Sequence, residues 1–226
     1  MLLGSSITGR LPDRTYGFKG ISNMGCDGGS AADALRAMDR GILPAAPLII
    51  IEGNTLGLGA SPKETEVARA MRSPWFEVGR RFSAVSATTR PSAFLYSKLL
   101  AGKIGAAGSP DGKDEDVSTK PYIPRKDSVS LKSSRERLLV VELADIIGRL
   151  AERGTLCWVV ILPPKIRLDS PQHDLVVALA AEAQVPFWDL AAGIAPGKIQ
   201  LTDGIHMAPA SAALTVRELM REIGKR

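Results

Sequence analysis

The chain has 226 residues, of which 45% are hydrophobic and 23% charged, the usage of an ordinary globular protein rather than a disordered or collagen-like one. Lysine and arginine number 29 against 24 acidic residues, a net charge of +5 that favours acidic partners in general. Aromatics make up only 5% and no basic stretch is interleaved with them, which excludes a base-stacking platform for nucleic acid.

The length suits a single domain over residues 1–226. The longest apolar runs, around Leu48 to Ile51 and Leu156 to Leu162, are far shorter than the ~20 residues of a membrane span. Two cysteines, Cys26 and Cys157, cannot build a disulfide framework and match no zinc spacing, and two histidines, His173 and His206, exclude a multi-histidine metal site. Neither a metal nor an organic cofactor is expected. Met1-Leu2-Leu3 is too short for the apolar region of a signal peptide. The compartment stays open: cytoplasmic as the chain stands, periplasmic or secreted if a leader or anchor has been removed.

In chain order, a first short strand runs into Gly4-Ser5-Ser6, and a second apolar stretch at Gly20 to Asn23 runs into the glycine-rich Gly25-Cys26-Asp27-Gly28-Gly29-Ser30. Ser30 is placed to cap a helix, since Ala31, Ala32, Ala34, Leu35 and Met38 share one helical face that should end near Gly41. Leu48-Ile49-Ile50-Ile51 is short, continuously apolar and mostly β-branched, which predicts a strand covered on both faces and ending at Glu52-Gly53-Asn54-Thr55. Helical spacing follows from Pro62, with Ser61 as cap and Val67, Ala70 and Met71 on one side, and again over Ser92 to Leu100. Residues 102–131 are rich in Gly, Pro, Ser and Lys without periodicity and read as a long mobile insertion.

Ser133 or Ser134 opens a strong helix ending at Gly154, and Leu156 to Leu162 forms a buried strand closed by Pro163-Pro164. Ser170-Pro171 begins a helix to about Ala183, Val185 to Leu190 forms a last strand, and Pro209 to Ile223 forms the final helix. Short apolar strands alternating with helices predict an α/β fold, a three-layer α/β/α sandwich around a parallel sheet of about five strands.

Ligands of such sheets bind beyond the carboxyl ends of the strands. Four clusters occupy that position: Gly4-Ser5-Ser6, Gly28-Gly29, Gly53-Asn54 and Asp203-Gly204-Ile205-His206. A serine hydroxyl needs a base before it attacks, and an imidazole oriented by a carboxylate is the usual base. Asp203 and His206, three residues apart in one loop, can present the carboxylate behind the ring and the free nitrogen in front. The charge that develops on a carbonyl oxygen then needs donors, for which Ser6 N–H, Gly28 N–H and the Asn54 amide are candidates. His173 stands at a helix start, where a solvent-facing role is expected. Cys26 lies beside Asp27, which disfavours a thiolate nucleophile.

The ordered set resembles the SGNH or GDSL hydrolases, whose four blocks carry Ser, Gly, Asn and His in this order. Gly4-Ser5-Ser6-Ile7-Thr8 is similar to the family's Gly-Asp-Ser-Ile-Thr. Asn23-Met24-Gly25-Cys26-Asp27-Gly28 places the oxyanion glycine on Gly28, with Gly25 as a rival that fits the spacing from Asn23 less well. Glu52-Gly53-Asn54-Thr55 looks like Gly-x-Asn-Asp, and Asp203-Gly204-Ile205-His206 matches Asp-x-x-His ahead of the closing helix. Ser5 and Thr55 depart from the pattern, each standing where the family carries aspartate.

The resemblance implies a flavodoxin-like sheet and a serine esterase with Ser6 as nucleophile, His206 as base, Asp203 orienting it, and Ser6, Gly28 and Asn54 as the oxyanion hole. It implies small acyl esters, such as acetyl groups on carbohydrate, as substrates. The rival readings are a polysaccharide O-acetyltransferase using the same residues and a non-catalytic binding protein, which the substitutions at Ser5 and Thr55 and the basic stretch Lys120 to Arg137 support. Oligomeric state is not legible.

Overall fold

In the computed structural model, residues 1–61, 65–81, 117–195 and 197–225 are described. Strands β1 (Leu2–Leu3), β2 (Leu48–Glu52), β3 (Leu156–Ile161) and β4 (Phe187–Asp189) form one sheet in the order β1-β2-β3-β4, every pair parallel. The sheet thus has four strands among the described residues, where about five were expected. The segment expected as a strand at 20–23 reaches β1 through a single parallel bridge, Leu2 to Asn23, on the side away from β2. Leu2 N–H donates to Ser22 O at 2.8 Å and Met24 N–H to Leu2 O at 2.9 Å. A first strand of two residues leaves no length for a longer ladder.

Alternation along the strands sends side chains to two faces. Leu3, Ile49, Ile51, Val159, Ile161 and Phe187 pack against α2 (Ala31–Asp39), α5 (Ser134–Glu152) and α6 (Pro171–Ala183). Leu2, Ile50, Trp158, Val160 and Trp188 face the other way, toward α1 (Ser6–Gly9) through Ile7, α7 (Leu190–Gly193) through Leu190 and α8 (Pro209–Ile223) through Ala212, Val216 and Leu219. Helices therefore cover both faces, which is why β2 and β3 read as continuous apolar runs. No helix among the described residues is long and apolar enough to cross a membrane.

The helix starts follow their caps. Ser30 accepts from Ala32 N–H, Ser133 from Glu136 N–H and Ser170 from His173 N–H, with Pro171 in the first turn of α6. The helix expected from Pro62 is α3 (Glu66–Arg72), capped by Thr65 rather than Ser61, and a further helix, α4 (Pro74–Arg81), follows it directly. The helical stretch expected over Ser92 to Leu100 lies outside the described residues, as does the first half of the 102–131 insertion. The second half of that insertion is docked. Val117 is buried, Thr119 donates its hydroxyl to Asp189 O at 2.8 Å, and Tyr122 exchanges backbone hydrogen bonds with Phe187 at 2.9 and 2.7 Å. The segment thus covers the open edge of β4, as an exposed parallel edge requires.

Candidate functional site

Beyond the carboxyl end of β1 the chain turns at Gly4, where a Cβ would stand 2.2 Å from Glu52 Oε2 and 2.3 Å from Thr8 Oγ1. Only glycine lets the two segments approach this closely. Ser5 then caps α1, its Oγ accepting from Ile7 N–H at 3.2 Å, and Ser6 takes the first helical position. The first N–H groups of a helix have no intrahelical partner. That of Ser6 meets no acceptor among the described residues.

The second half of the site comes from the loop before α8. An antiparallel bridge from Leu201 to Met207 and the Thr202 N–H to His206 O bond at 2.8 Å close this loop on itself. Gly204 turns it with φ +81°, a conformation that disfavours any side chain. Asp203 uses its two oxygens for separate tasks. Oδ1 accepts from Ile205 N–H at 3.1 Å and His206 N–H at 2.8 Å, and Oδ2 meets His206 Nδ1 at 2.7 Å. The His206 backbone N–H and ring hold the Asp203 carboxyl well below the usual carboxylate range, with the Ile205 N–H adding to them. An ionised Asp203 accepts only, so the ring proton sits on Nδ1 and leaves Nε2 as an acceptor. Nε2 lies 2.9 Å from Ser6 Oγ. Arg10, one turn beyond Ser6, places Nη1 3.7 Å from Asp203 Oδ2.

Ser6, His206 and Asp203 are thus brought together in one hydrogen-bonded line. The glycines separate as well. Gly25 N–H is engaged by Asn23 Oδ1 at 2.9 Å, and a Cβ at Gly25 would collide with Gly9 N at 2.3 Å, so this glycine is a packing residue. Gly28 is exposed, has φ +70°, and its N–H meets no acceptor among the described residues. A Cβ there would meet nothing within 4 Å, so the need for glycine is one of backbone conformation rather than of space.

Asn54, expected as the third oxyanion donor, already has its amide bonded. Its Nδ2 donates to Leu162 O at 2.8 Å and Pro164 O at 3.1 Å, and its Oδ1 accepts from Leu162 N–H at 2.8 Å. The buried side chain therefore ties the end of β2 to the end of β3 with every amide atom in use.

One residue at the site escaped the sequence reading. Glu52, the last of β2, is 1% exposed, and its carboxylate collects five donors: Ser5 N–H, Ser5 O–H, Thr8 N–H, Thr8 O–H and Thr55 O–H. The two positions that depart from the family's aspartates, Ser5 and Thr55, both supply hydroxyls to this one carboxylate. A glutamate among turn residues reads as solvated, and only the coincidence of hydroxyls at 5, 8 and 55 hinted otherwise.

No hydrogen bond among the described residues joins the side chains of the remaining candidates to this relay. His173 packs edge-on to Phe187, ring centroids 6.0 Å apart. The Cys26 thiol is pushed up by burial and then by Asp27, Asp33 and Glu52, and burial alone pushes Cys157 up to about 12. Among the described residues no group of three or more His, Cys, Asp or Glu is arranged to hold a metal ion. No family model, curated protein or solved structure matches the chain.

Proposed function

We propose that the chain is a serine esterase of the SGNH type acting on small acyl esters. The observation that carries this reading is the continuous line from Ser6 Oγ to His206 Nε2 at 2.9 Å and from Nδ1 to Asp203 at 2.7 Å. Nucleophile, base and orienting carboxylate stand in the order that acyl transfer requires.

In this scheme Ser6 Oγ attacks the ester carbonyl carbon as its proton passes to His206 Nε2. The imidazolium that forms is stabilised by Asp203. The carbonyl oxygen becomes an oxyanion and takes hydrogen bonds from the N–H groups of Ser6 and Gly28, neither of which has another acceptor among the described residues. Asn54 adds a third donor by giving up the longer of its two bonds, to Pro164 O at 3.1 Å, while Leu162 keeps the amide in place. Collapse breaks the ester C–O bond, and His206 returns the proton to the departing alkoxide. Water, deprotonated by His206, then attacks the acyl carbon, and the bond to Ser6 Oγ breaks as His206 returns the proton to that oxygen and the acid leaves. Acetyl esters of carbohydrates are the substrates that the resemblance favours.

Labelling with a fluorophosphonate tests the reading. Native protein should be labelled and Ser6→Ala should not, whereas native protein that stays unlabelled would leave a non-catalytic binding role. Free acetate released from acetyl-xylan or a nitrophenyl acetate identifies hydrolysis. Acetylated glycan forming faster than free acetate would assign transfer to a sugar hydroxyl instead.

A further inference from the structure

We propose that Glu52 is the residue that positions the nucleophile, holding the turn of Ser6 against the interior of the sheet; this rests on the esterase reading above. The need for such a residue follows from how little else fixes the turn. β1 has two residues and α1 four, too few for either to be rigid by its own hydrogen bonds. β2, in contrast, is paired on both sides, with Glu52 in register with Val160 and Gly53 N–H donating to Val160 O at 2.8 Å. A carboxylate on that strand is held by the centre of the sheet.

The donors it gathers bracket Ser6. Ser5 N–H reaches Oε2 at 2.9 Å, Thr8 N–H reaches the same oxygen at 3.1 Å, and the Ser5 hydroxyl reaches Oε1 at 2.8 Å. The residue before the nucleophile and the residue two after it are therefore anchored to one side chain. Thr55 O–H holds Oε1 at 3.1 Å from the far side. All of these partners are hydroxyls and backbone N–H groups, and hydrogen bonds to an ionised acceptor are roughly twice as strong as neutral ones. The Ser5 N–H is turned to Glu52 while the adjoining Ser6 N–H meets no acceptor among the described residues, so the same contact that fixes the turn also selects which N–H faces the reacting carbonyl. Glu52 touches no reacting atom and acts through Ser5 and Thr8.

Glu52→Gln keeps the shape and an oxygen for the two backbone N–H groups but removes the charge. The expected result is a folded protein in which kcat on an acetyl ester and the rate of fluorophosphonate labelling fall roughly tenfold or more while KM changes by less than about twofold. A brace that served stability alone would lower the melting temperature without that split. Thr8→Val removes one hydroxyl donor, should give a smaller fall in the same direction, and covers the case in which Glu52→Gln does not fold. Native labelling rate and kcat in folded Glu52→Gln, or in Thr8→Val if only that folds, would overturn the proposal. If native protein is not labelled at all, the esterase reading fails instead. Backbone hydrogen exchange over residues 5–8 then decides the bracing, faster exchange in the variant supporting it and unchanged exchange overturning it.

Discussion

His206 Nε2 and Ser6 Oγ meet at 2.9 Å although 200 residues separate them in the chain. The contact exists because β1 and the loop before α8 both open beyond the same end of the sheet, and because Asp203 presents the ring from behind at 2.7 Å. Asp203→Asn should separate geometry from charge. The asparagine oxygen can keep the Ile205 and His206 N–H bonds, so the loop survives, but its NH2 group faces Nδ1 and forces the ring proton onto Nε2. On the proposed esterase reading, activity should then fall by about 10³-fold or more with the melting temperature little changed, the scale expected when the imidazole is held in the wrong tautomer. Activity within tenfold of native, measured as kcat/KM on nitrophenyl acetate, would remove Asp203 from the mechanism.

The cysteines give a second expectation. Cys157 is buried within β3 and its thiol is pushed up to about 12, so it stays protonated at any working pH. Cys26 is raised by burial and three carboxylates, Asp27 foremost. Neither has the thiolate character of a nucleophile. Iodoacetamide at pH 8 should leave Cys157 unmodified and react with Cys26 more slowly than with a free thiol, as read by intact mass. Cys26→Ser should retain activity, and its inactivation would point to a thiol mechanism.

Acid stability should report the α2–α5 contact. Arg36 Nε and Nη2 reach Glu142 Oε1 and Oε2 at 2.7 and 2.6 Å, and this bond from Arg36 lowers the Glu142 carboxyl below its ordinary value. A carboxyl lowered by folding contributes stability above its unfolded pKa and loses it as pH falls through the folded one. Because the Glu142 side chain is 44% exposed, screening keeps the contribution near or below about 1 kcal/mol. Glu142→Gln should therefore melt about 2–4 °C lower than native at pH 7, with the gap closing as the pH drops below the ordinary glutamate range. A gap that persists at pH 3 would assign the effect to packing rather than charge.

What the sequence made legible was mostly local. Ser30, Ser133 and Ser170 announce helix starts because capping depends on residues two or three positions away. Ile49 to Ile51 announce an interior strand because both faces of β2 are covered. Ser6, Asp203 and His206 stood out as candidates because their chemistry is distinctive, and the structure brings them together. What stayed hidden depends on partners far along the chain. Glu52 becomes a structural anion only when hydroxyls from positions 5 and 8 arrive beside it, 47 and 44 residues away. The segment from Val117 to Tyr122 lacks periodicity because it follows the edge of β4 rather than forming an element of its own.

Asn54 separates two roles that one substitution would otherwise merge. Its amide is bonded to Leu162 N–H, Leu162 O and Pro164 O, so Asn54→Ala leaves a buried donor and its neighbouring carbonyls unpaired. An unsatisfied buried group costs about 1–3 kcal/mol, which corresponds to several degrees of melting temperature in a chain of this size. As an oxyanion donor the same residue should account for roughly 100-fold or more in kcat. Both changes are expected together in Asn54→Ala. Asn54→Asp distinguishes them further: it keeps an acceptor for Leu162 N–H, loses both donors, and sets a negative charge near the developing oxyanion. Its kcat should fall at least as far as that of the alanine variant. A melting temperature that drops while kcat holds would make Asn54 a tie between β2 and β3 and leave the backbone N–H groups of Ser6 and Gly28 to hold the oxyanion alone.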